Sequence, residues 1–404
     1  MARTFSYRAR DFKGQLVTGF VEADSEVAVV KRLQGKNLFV TDVRPAGKTN
    51  ATLATFLGGR VSQRDLAVFC RQFSVMLDAG LPVFQALSVL AEQAENKVLR
   101  SALEGVVERL EGGLSLTEAF RLYPRVFPAV FTSMVEAGEV SGTLEEVLER
   151  LAVHFEKEHE IREAVRGALT YPVIVLIVAA LVIGILLTFV VPTFVNIFRD
   201  MNLPMPLPTR FLMGLSLFCK RFWPLLLFGL LLTGVALRYF FAYTPQGKEV
   251  WDRFVLRVPV LGMLVRKVIV ARFARTLGTM VQSGVPILAA LEVVKRTIGN
   301  VVITRALEQT IENVSEGGAI AGLLEKTGVF PPMVTRMVAV GEETGALEEL
   351  LEKVAVFYDQ DVEATAKRLS VAIEPLLIVV LGFIVGSIIL SVLVPIFSIY
   401  GSVR

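Results

Sequence analysis

Two long stretches of the chain carry no charged residue. One runs from Pro172 to Phe198 (PVIVLIVAALVIGILLTFVVPTFVNIF) and the other from Pro375 to Tyr400 (PLLIVVLGFIVGSIILSVLVPIFSIY). Each exceeds the roughly 20 apolar residues that cross a hydrocarbon core about 30 Å thick, so the pattern predicts two membrane helices. A shorter apolar run, Phe222 to Leu237, reaches spanning length if Arg238 snorkels and Tyr239 to Tyr243 form an interfacial aromatic belt. Elsewhere the apolar positions follow helical spacing. Leu144, Val147, Leu148, Leu151 and Phe155 share one face, as do Leu347, Leu350, Leu351, Val354 and Tyr358. Glu145 and Glu146, like Glu348 and Glu349, fall in first turns, where they complement the helix dipole. A charged neck, Glu156 to Arg166, joins the first of these helices to its span. The last helix before each span is predicted to run into it with at most a kink at the proline.

Self-similarity organises the rest. Phe69 to Leu87 (FCRQFSVMLDAGLPVFQAL) resembles Phe273 to Leu291 (FARTLGTMVQSGVPILAAL), 204 positions on. Gly138 to Leu148 (GEVSGTLEEVL) matches Gly341 to Leu351 (GEETGALEELL), 203 positions on, and Pro172 and Pro192 pair with Pro375 and Pro395. The repeat therefore includes domain and span together. Both copies enter the membrane in one direction, and the middle span returns the chain between them. Gly80 with Pro82, and Gly284 with Pro286, predict a helix end in the left-handed conformation followed by the first turn of the next helix.

The first 44 residues differ. FSYRAR, LVTGFVEA and LFVTDV read as strands, and Asp24 or Ser25 can cap a short helix through Leu33. The fold class expected is mainly α: an integral membrane protein with two repeated cytoplasmic helical bundles, three membrane helices and a small N-terminal α+β module. The expected boundaries are a module at 1–44, a linker at 45–63, bundles at 64–171 and 244–374, spans at 172–198, 222–243 and 375–400, an external loop at 199–221 and an external tail at 401–404. Orientation rests on basic residues. Lys248, Arg253, Arg257, Arg266, Lys267, Arg272 and Arg275 outnumber Glu249 and Asp252 after the middle span, which places both bundles and the N-terminus in the cytoplasm and the C-terminus outside.

Composition fits a mixed chain: 53% hydrophobic residues and a mean hydropathy of +0.58, yet 20% charged. A net charge of +3 gives no argument for nucleic acid. The first 15 residues have no apolar core, so no cleavable signal peptide is expected. Cys70 and Cys219 stand far apart in apolar patterns and suggest no disulfide framework. The two histidines, His154 and His159, lie on different helical faces, are poor joint metal ligands and read as solvated. Gly47-Lys48-Thr49 resembles the end of a phosphate-binding loop, but Asp42 stands where the first glycine is needed. Gly112-Gly113 and Gly317-Gly318 read as helix breaks. No catalytic residue, cofactor site or metal site is predicted. The spans lack the mid-membrane charges that a transporter would use, and Gly382 and Gly386 (GFIVG) suggest close helix packing.

These residues resemble the inner-membrane platform proteins of type IV pilus and type II secretion machines, the PilC/GspF family. GEETGALEELLEKVAVFYDQD (Gly341 to Asp361) is similar to the family signature, and GEVSGTLEEVLERLAVHFEKE is its first-copy counterpart, with Val140-Ser141 where the signature has Glu-Thr. FSYRARDFKGQLVTGFVEADS resembles the family's N-terminal module, and TPQGKEVWDRFVLRVPVLGMLVRK its linker into the second domain. The resemblance implies a non-enzymatic homo-oligomer in the inner membrane. Its partners would be a cytoplasmic hexameric ATPase, pilin or pseudopilin subunits and other components of the machine.

The signature and helix-corner residues to test are Gly80, Pro82, Gly138, Glu139, Gly142, Gly284, Pro286, Gly341, Glu342, Thr344 and Gly345, with the Gly-Glu corners expected to set the fold. The expected partner surfaces are the acidic first bundle (17 Asp or Glu against 11 Lys or Arg over residues 61–171) and the basic stretch with Arg253, Arg257, Arg266 and Lys267. Arg71 and Arg275 recur at matching positions, as an internal brace or as a partner contact. Two other classes stay open: a small-solute transporter, opposed by charge-free spans, and a signalling receptor, opposed by the short external segments.

Overall fold

A computed structural model describes residues 3–10, 16–23, 39–45, 60–193, 207–259, 261–326 and 328–402. The chain divides into two compact units. The first holds three antiparallel strands, β1 (Arg3–Arg10), β2 (Leu16–Ala23) and β3 (Phe39–Pro45), in the order β2-β1-β3. Arg3 pairs with Ala23 and Arg10 with Leu16, and the β1–β3 register shifts at Arg8/Ala9. The helix expected through Leu33 lies outside the described residues, as does most of the linker.

The second unit is helical among its described residues. α1 (Gln63–Asp78), α2 (Val83–Gln93), α3 (Lys97–Glu111), α4 (Leu116–Arg121), α5 (Ala129–Ser141) and α6 (Leu144–Ile185) form the first repeat. After α7 (Leu207–Tyr243) and α8 (Pro245–Arg257), the second repeat brings α9 (Leu261–Gln282), α10 (Ile287–Ile298), α11 (Val301–Ser315), α12 (Ile320–Lys326), α13 (Pro332–Thr344) and α14 (Leu347–Ser402). The two sets match helix for helix. Local chemistry sets the starts. Ser62 with Asp65 and Ser115 with Glu118 form capping boxes, and Asn300 accepts from the Val302 and Ile303 amides.

In each repeat the first and last helices pack together and the short ones close the bundle. Phe73, Phe120, Phe127 and Phe131 are fully buried in the first core with Leu148 and Leu151. Phe120 meets Phe127 and Phe131 edge-on at 4.6 and 4.9 Å, contacts worth about 0.5–1.5 kcal/mol each beyond their area. The second core has Leu277, Leu324 and Val334 at three of those four matching places, and keeps Phe330, 4.7 Å from Phe273.

α6 passes Pro172 without a break and continues through a π turn at Leu186–Val190; α14 is likewise continuous past Pro375. Among the described residues these are the two helices long and apolar enough to cross a membrane. Their apolar halves touch near the π turn, where Leu187 and Val191 pack on Ile388. α7 begins at Leu207, so residues 207–221 of the expected loop are helical and run on into the expected middle span. Phe211, Leu225, Phe228, Leu231 and Val235 of α7 are exposed, an apolar surface that the described residues leave uncovered. α14 also extends into the expected tail, to Ser402.

Candidate functional site

The signature corners act on the backbone. In the first repeat, the Glu139 carboxylate on α5 accepts from the Leu116 amide (2.9 Å), the Thr117 amide (3.0 Å) and the Thr117 hydroxyl (2.6 Å). In the second, Glu342 on α13 accepts from the Ile320 and Ala321 amides at 2.7 and 2.9 Å. Each glutamate thus satisfies orphan amides at the start of the preceding short helix and ties that helix to the next. Burial raises the Glu139 carboxyl, but the Thr117 and Leu116 donors outweigh it and hold its pKa below the usual range.

The glycines beside them are required by space and by dihedral. A Cβ on Gly341 would lie 2.8 Å from Leu347 Cα, and one on Gly138 would lie 3.1 Å from Leu144 Cα. Gly142 and Gly345 follow at φ 75° and 72°, ending α5 and α13 in the left-handed conformation. The Thr344 hydroxyl donates back to the Val340 carbonyl. Gly80 and Gly284 also have positive φ. Pro82 and Pro286 flank α2 and α10 immediately before the first turn. Replacing Gly341 with alanine is expected to lower stability by about 1–3 kcal/mol, the usual range for overpacking. Gly138→Ala should cost less, since its nearest contact is longer. Denaturant titration of the two variants in detergent checks the order; equal midpoints would show that the α13–α14 corner yields without strain.

The arginines expected on a partner surface divide. Arg71 on α1 pairs with Glu149 and, at 2.9 Å, with Glu156 on α6. Arg275 on α9 pairs with Asp359 on α14, and Asp359 is the second-repeat match of Glu156. These are braces between the first and last helix of each bundle. Arg275 is only 7% exposed, which removes it from any partner surface. Lys267 is a third brace, donating to Asp361 (2.8 Å) and to Thr365 Oγ1 (2.9 Å) across the same two helices. Arg253 stays exposed beside Glu249, and Arg257 and Arg266 are exposed without an ion-pair partner among the described residues. The acidic surface of the first bundle is smaller than its composition suggests, because Glu139, Glu149 and Glu156 are engaged within the fold.

A seam joins the two repeats. Arg272 of α9 donates to both Glu158 oxygens of α6, at 2.8 and 3.1 Å. Two turns back on α6, the Arg150 guanidinium reaches the Gln282 carbonyl at the end of α9. Between these contacts lies His154, 3% exposed and not solvated as expected. α6 is covered on two sides: its own bundle takes Leu148, Leu151 and Phe155, and the second repeat takes the adjoining stripe. Burial lowers the His154 pKa to about 4, with Arg275 and Arg272 adding to the effect and Glu158 opposing it. Burial raises the Glu158 carboxyl, but Arg272 outweighs this and holds its pKa low. Burial pushes Asp359 up, beyond what Arg275 takes back. A cavity of about 350 Å³ opens along the seam, lined by Glu149, Arg150, His154, Arg275, Glu352 and Asp359 among others. No group of side chains suited to a metal ion occurs among the described residues.

The model for type II secretion system protein F matches twice, at residues 69–192 and 273–395, and the model for its N-terminal domain matches residues 1–44. The chain belongs to the type II secretion system protein F family. The two matches coincide with the two helical repeats and include the apolar half of each long helix. A Thermus thermophilus protein named type IV pilus assembly protein PilC is 42% identical, with 98% of both chains covered. Its Myxococcus xanthus namesake is 38% identical over 99% of this chain and 96% of its own. The type II secretion system protein F of Pseudomonas aeruginosa is 35% identical, with 98% of both covered.

In this member of the family the repeat itself hides the seam. Arg272 matches Val68 of the first repeat, and Lys267 matches Gln63. The signal that could have found the seam is the difference between the copies. A cation appears only in the second repeat, and the Glu158 it meets has its match, Asp361, already held by Lys267.

Proposed function

We propose that the chain is the non-catalytic inner-membrane platform of a type IV pilus or type II secretion machine, coupling a cytoplasmic hexameric ATPase to the assembly of pilin or pseudopilin subunits. The observation that carries this reading is the continuity of α6 and α14, each of which is both the last helix of a bundle and an apolar, lipid-length helix. A load applied to either bundle would tilt or turn the apolar half without an intervening joint. The names of the relatives support the machine; the ATPase and the subunits follow from the resemblance. In this reading both bundles and the N-terminus are cytoplasmic. α7 completes three spans, the C-terminus is external, and the protein forms homo-oligomers in the bilayer with no nucleic acid, cofactor or metal.

In-cell crosslinking of the tagged chain, followed by mass spectrometry, tests it. Recovery of an assembly ATPase on the bundles and a pilin on the spans is expected, and the identity of the pilin separates pilus from secretion use. Recovery of neither, from cells making both, would overturn the coupling. A second test breaks the coupling directly. A short Gly-Ser insertion between Arg166 and Gly167 interrupts the neck of α6 while leaving both halves intact. The variant should insert and bind the ATPase normally but assemble no filament. Normal assembly would exclude transmission through α6.

A further inference from the structure

A second cavity, of about 580 Å³, lies between the neck of α6 and the region where α8 meets α9. Its walls are mainly apolar, with Val165 and Leu169 on one side and Val255 and Val265 on the other; Arg162 and Arg166 line it from the neck. Two independent markers set its level. On α6 the charge-free run begins at Pro172, less than two turns beyond Arg166. On the other side, α7 ends at Tyr243 and α8 starts at Pro245. That corner is tight, since a Cβ on Gly247 would lie 2.3 Å from the Phe240 carbonyl oxygen.

α8 is built for the same level. Val250, Trp251 and Phe254 form an exposed apolar face, and the Trp251 ring packs at a tilt, 5.1 Å from Phe241 at the end of α7. Basic residues border that face, and apolar faces with basic borders lie in the membrane interface plane. The charge balance of the cavity favours an anion. Of the cations that line it, Arg162 has no ion-pair partner among the described residues, Glu163 reaches Arg166 only at 3.8 Å, and Arg272 is held by Glu158. Asp252, the acid in the wall, is engaged by the Val301 amide at 2.8 Å.

We infer that this cavity binds an anionic phospholipid of the cytoplasmic leaflet, its phosphate held by Arg162 and Arg166 and its chain lying on the valines and Leu169. The lipid would join the first repeat's neck to the second repeat's base. The inference rests on the bilayer placement proposed above, and the test separates the two.

The full chain is reconstituted into nanodiscs of phosphatidylcholine with a minor share of phosphatidylglycerol, then released and weighed by native mass spectrometry. Wild type should retain phosphatidylglycerol in preference to phosphatidylcholine. Arg162→Gln with Arg166→Gln should lower that preference by about thirtyfold, since each of the two basic residues contributes on the order of 1 kcal/mol to anionic lipid attraction. Val265→Trp, which fills the cavity and keeps the charges, should lose the lipid as well. Equal retention of the two lipids, or full retention by either variant, would overturn the inference while leaving the platform reading intact. A chain that does not enter nanodiscs at all would overturn both. Melting curves matching wild type confirm that the variants fold.

Discussion

Arg272→Ala will destabilise the seam between the repeats by about 3–5 kcal/mol at neutral pH, the range expected when one partner of a buried ion pair is removed. Glu158 has a side chain only 9% exposed, and Arg272 is the cation that bonds both of its oxygens. Without the guanidinium, an acid already penalised by burial is left with no adequate partner. Glu158→Leu combined with Arg272→Leu should recover most of the loss, because the desolvation cost goes with the charges. Hydrogen exchange across α6 and α9 in the detergent-held full chain measures the effect locally. A change below about 1 kcal/mol would place the pair among solvated surface bridges. The loss should also shrink in acid, since burial raises the Glu158 carboxyl once its cation is gone and the acid can then become neutral by taking up a proton itself.

Because the seam is specific to one copy each of Glu158 and Arg272, it also bears on how the platform would work. A rotation of one bundle against the other must move α6 past α9, and the Glu158–Arg272 and Arg150–Gln282 contacts lie across that path. The braces within each bundle, Arg71 to Glu156 and Arg275 to Asp359, leave the bundles stiff. In the proposed platform, any motion between the repeats would have to be taken up at the seam and at the membrane halves, where Leu187, Val191 and Ile388 meet around the π turn.

Similarity made the repeat legible, and with it the matching of α1–α6 to α9–α14, the left-handed glycines and the continuity of the long helices. Period-based reading located Leu148, Leu151 and Phe155 because one apolar face is a strong signal. It did not locate the second buried face of α6, because His154 and Glu158 are polar and a polar stripe reads as solvated. Only the partner repeat buries them. The sequence marks the Gly-Glu corner as a fold element without showing its mechanism. Glu139 reaches back over 20 positions to cap another helix, and no local pattern encodes so remote a cap. As a run of basic residues the stretch predicts one surface, whereas the periodicity of α9 turns Lys267 and Arg275 inward and leaves Arg266 outside. α7 starts at Leu207, ahead of the apolar run, because polar residues Arg210, Lys220 and Arg221 interrupt the apolar pattern without ending the helix.

Acidification should weaken the seam through His154, by about 3 kcal/mol between roughly neutral pH and pH 4. The folded chain holds this histidine neutral, with a pKa of about 4 against an ordinary value near 6.5. Between those values the unfolded chain binds the proton and the folded chain does not. Stability is therefore full above about pH 6.5 and falls as pH drops toward 4, with a slope of up to about 1.4 kcal/mol per unit. Burial sets the direction, Arg275 and Arg272 on α9 reinforce it, and Glu158 on the same helix resists it. Asp359 on α14 lies across the cavity and is held by Arg275. Glu158 itself, with its pKa below the usual carboxylate value, contributes stability that is lost only at lower pH. The upper half of the window belongs to the histidine. His154→Phe copies the second repeat, which has Phe357 at the matching position, and should flatten the pH dependence of seam protection above about pH 5. His154→Gln should do the same without adding apolar volume. Parallel slopes for wild type and both variants would mean that His154 takes its proton freely in the folded chain, and that the second repeat does not seal this face of α6.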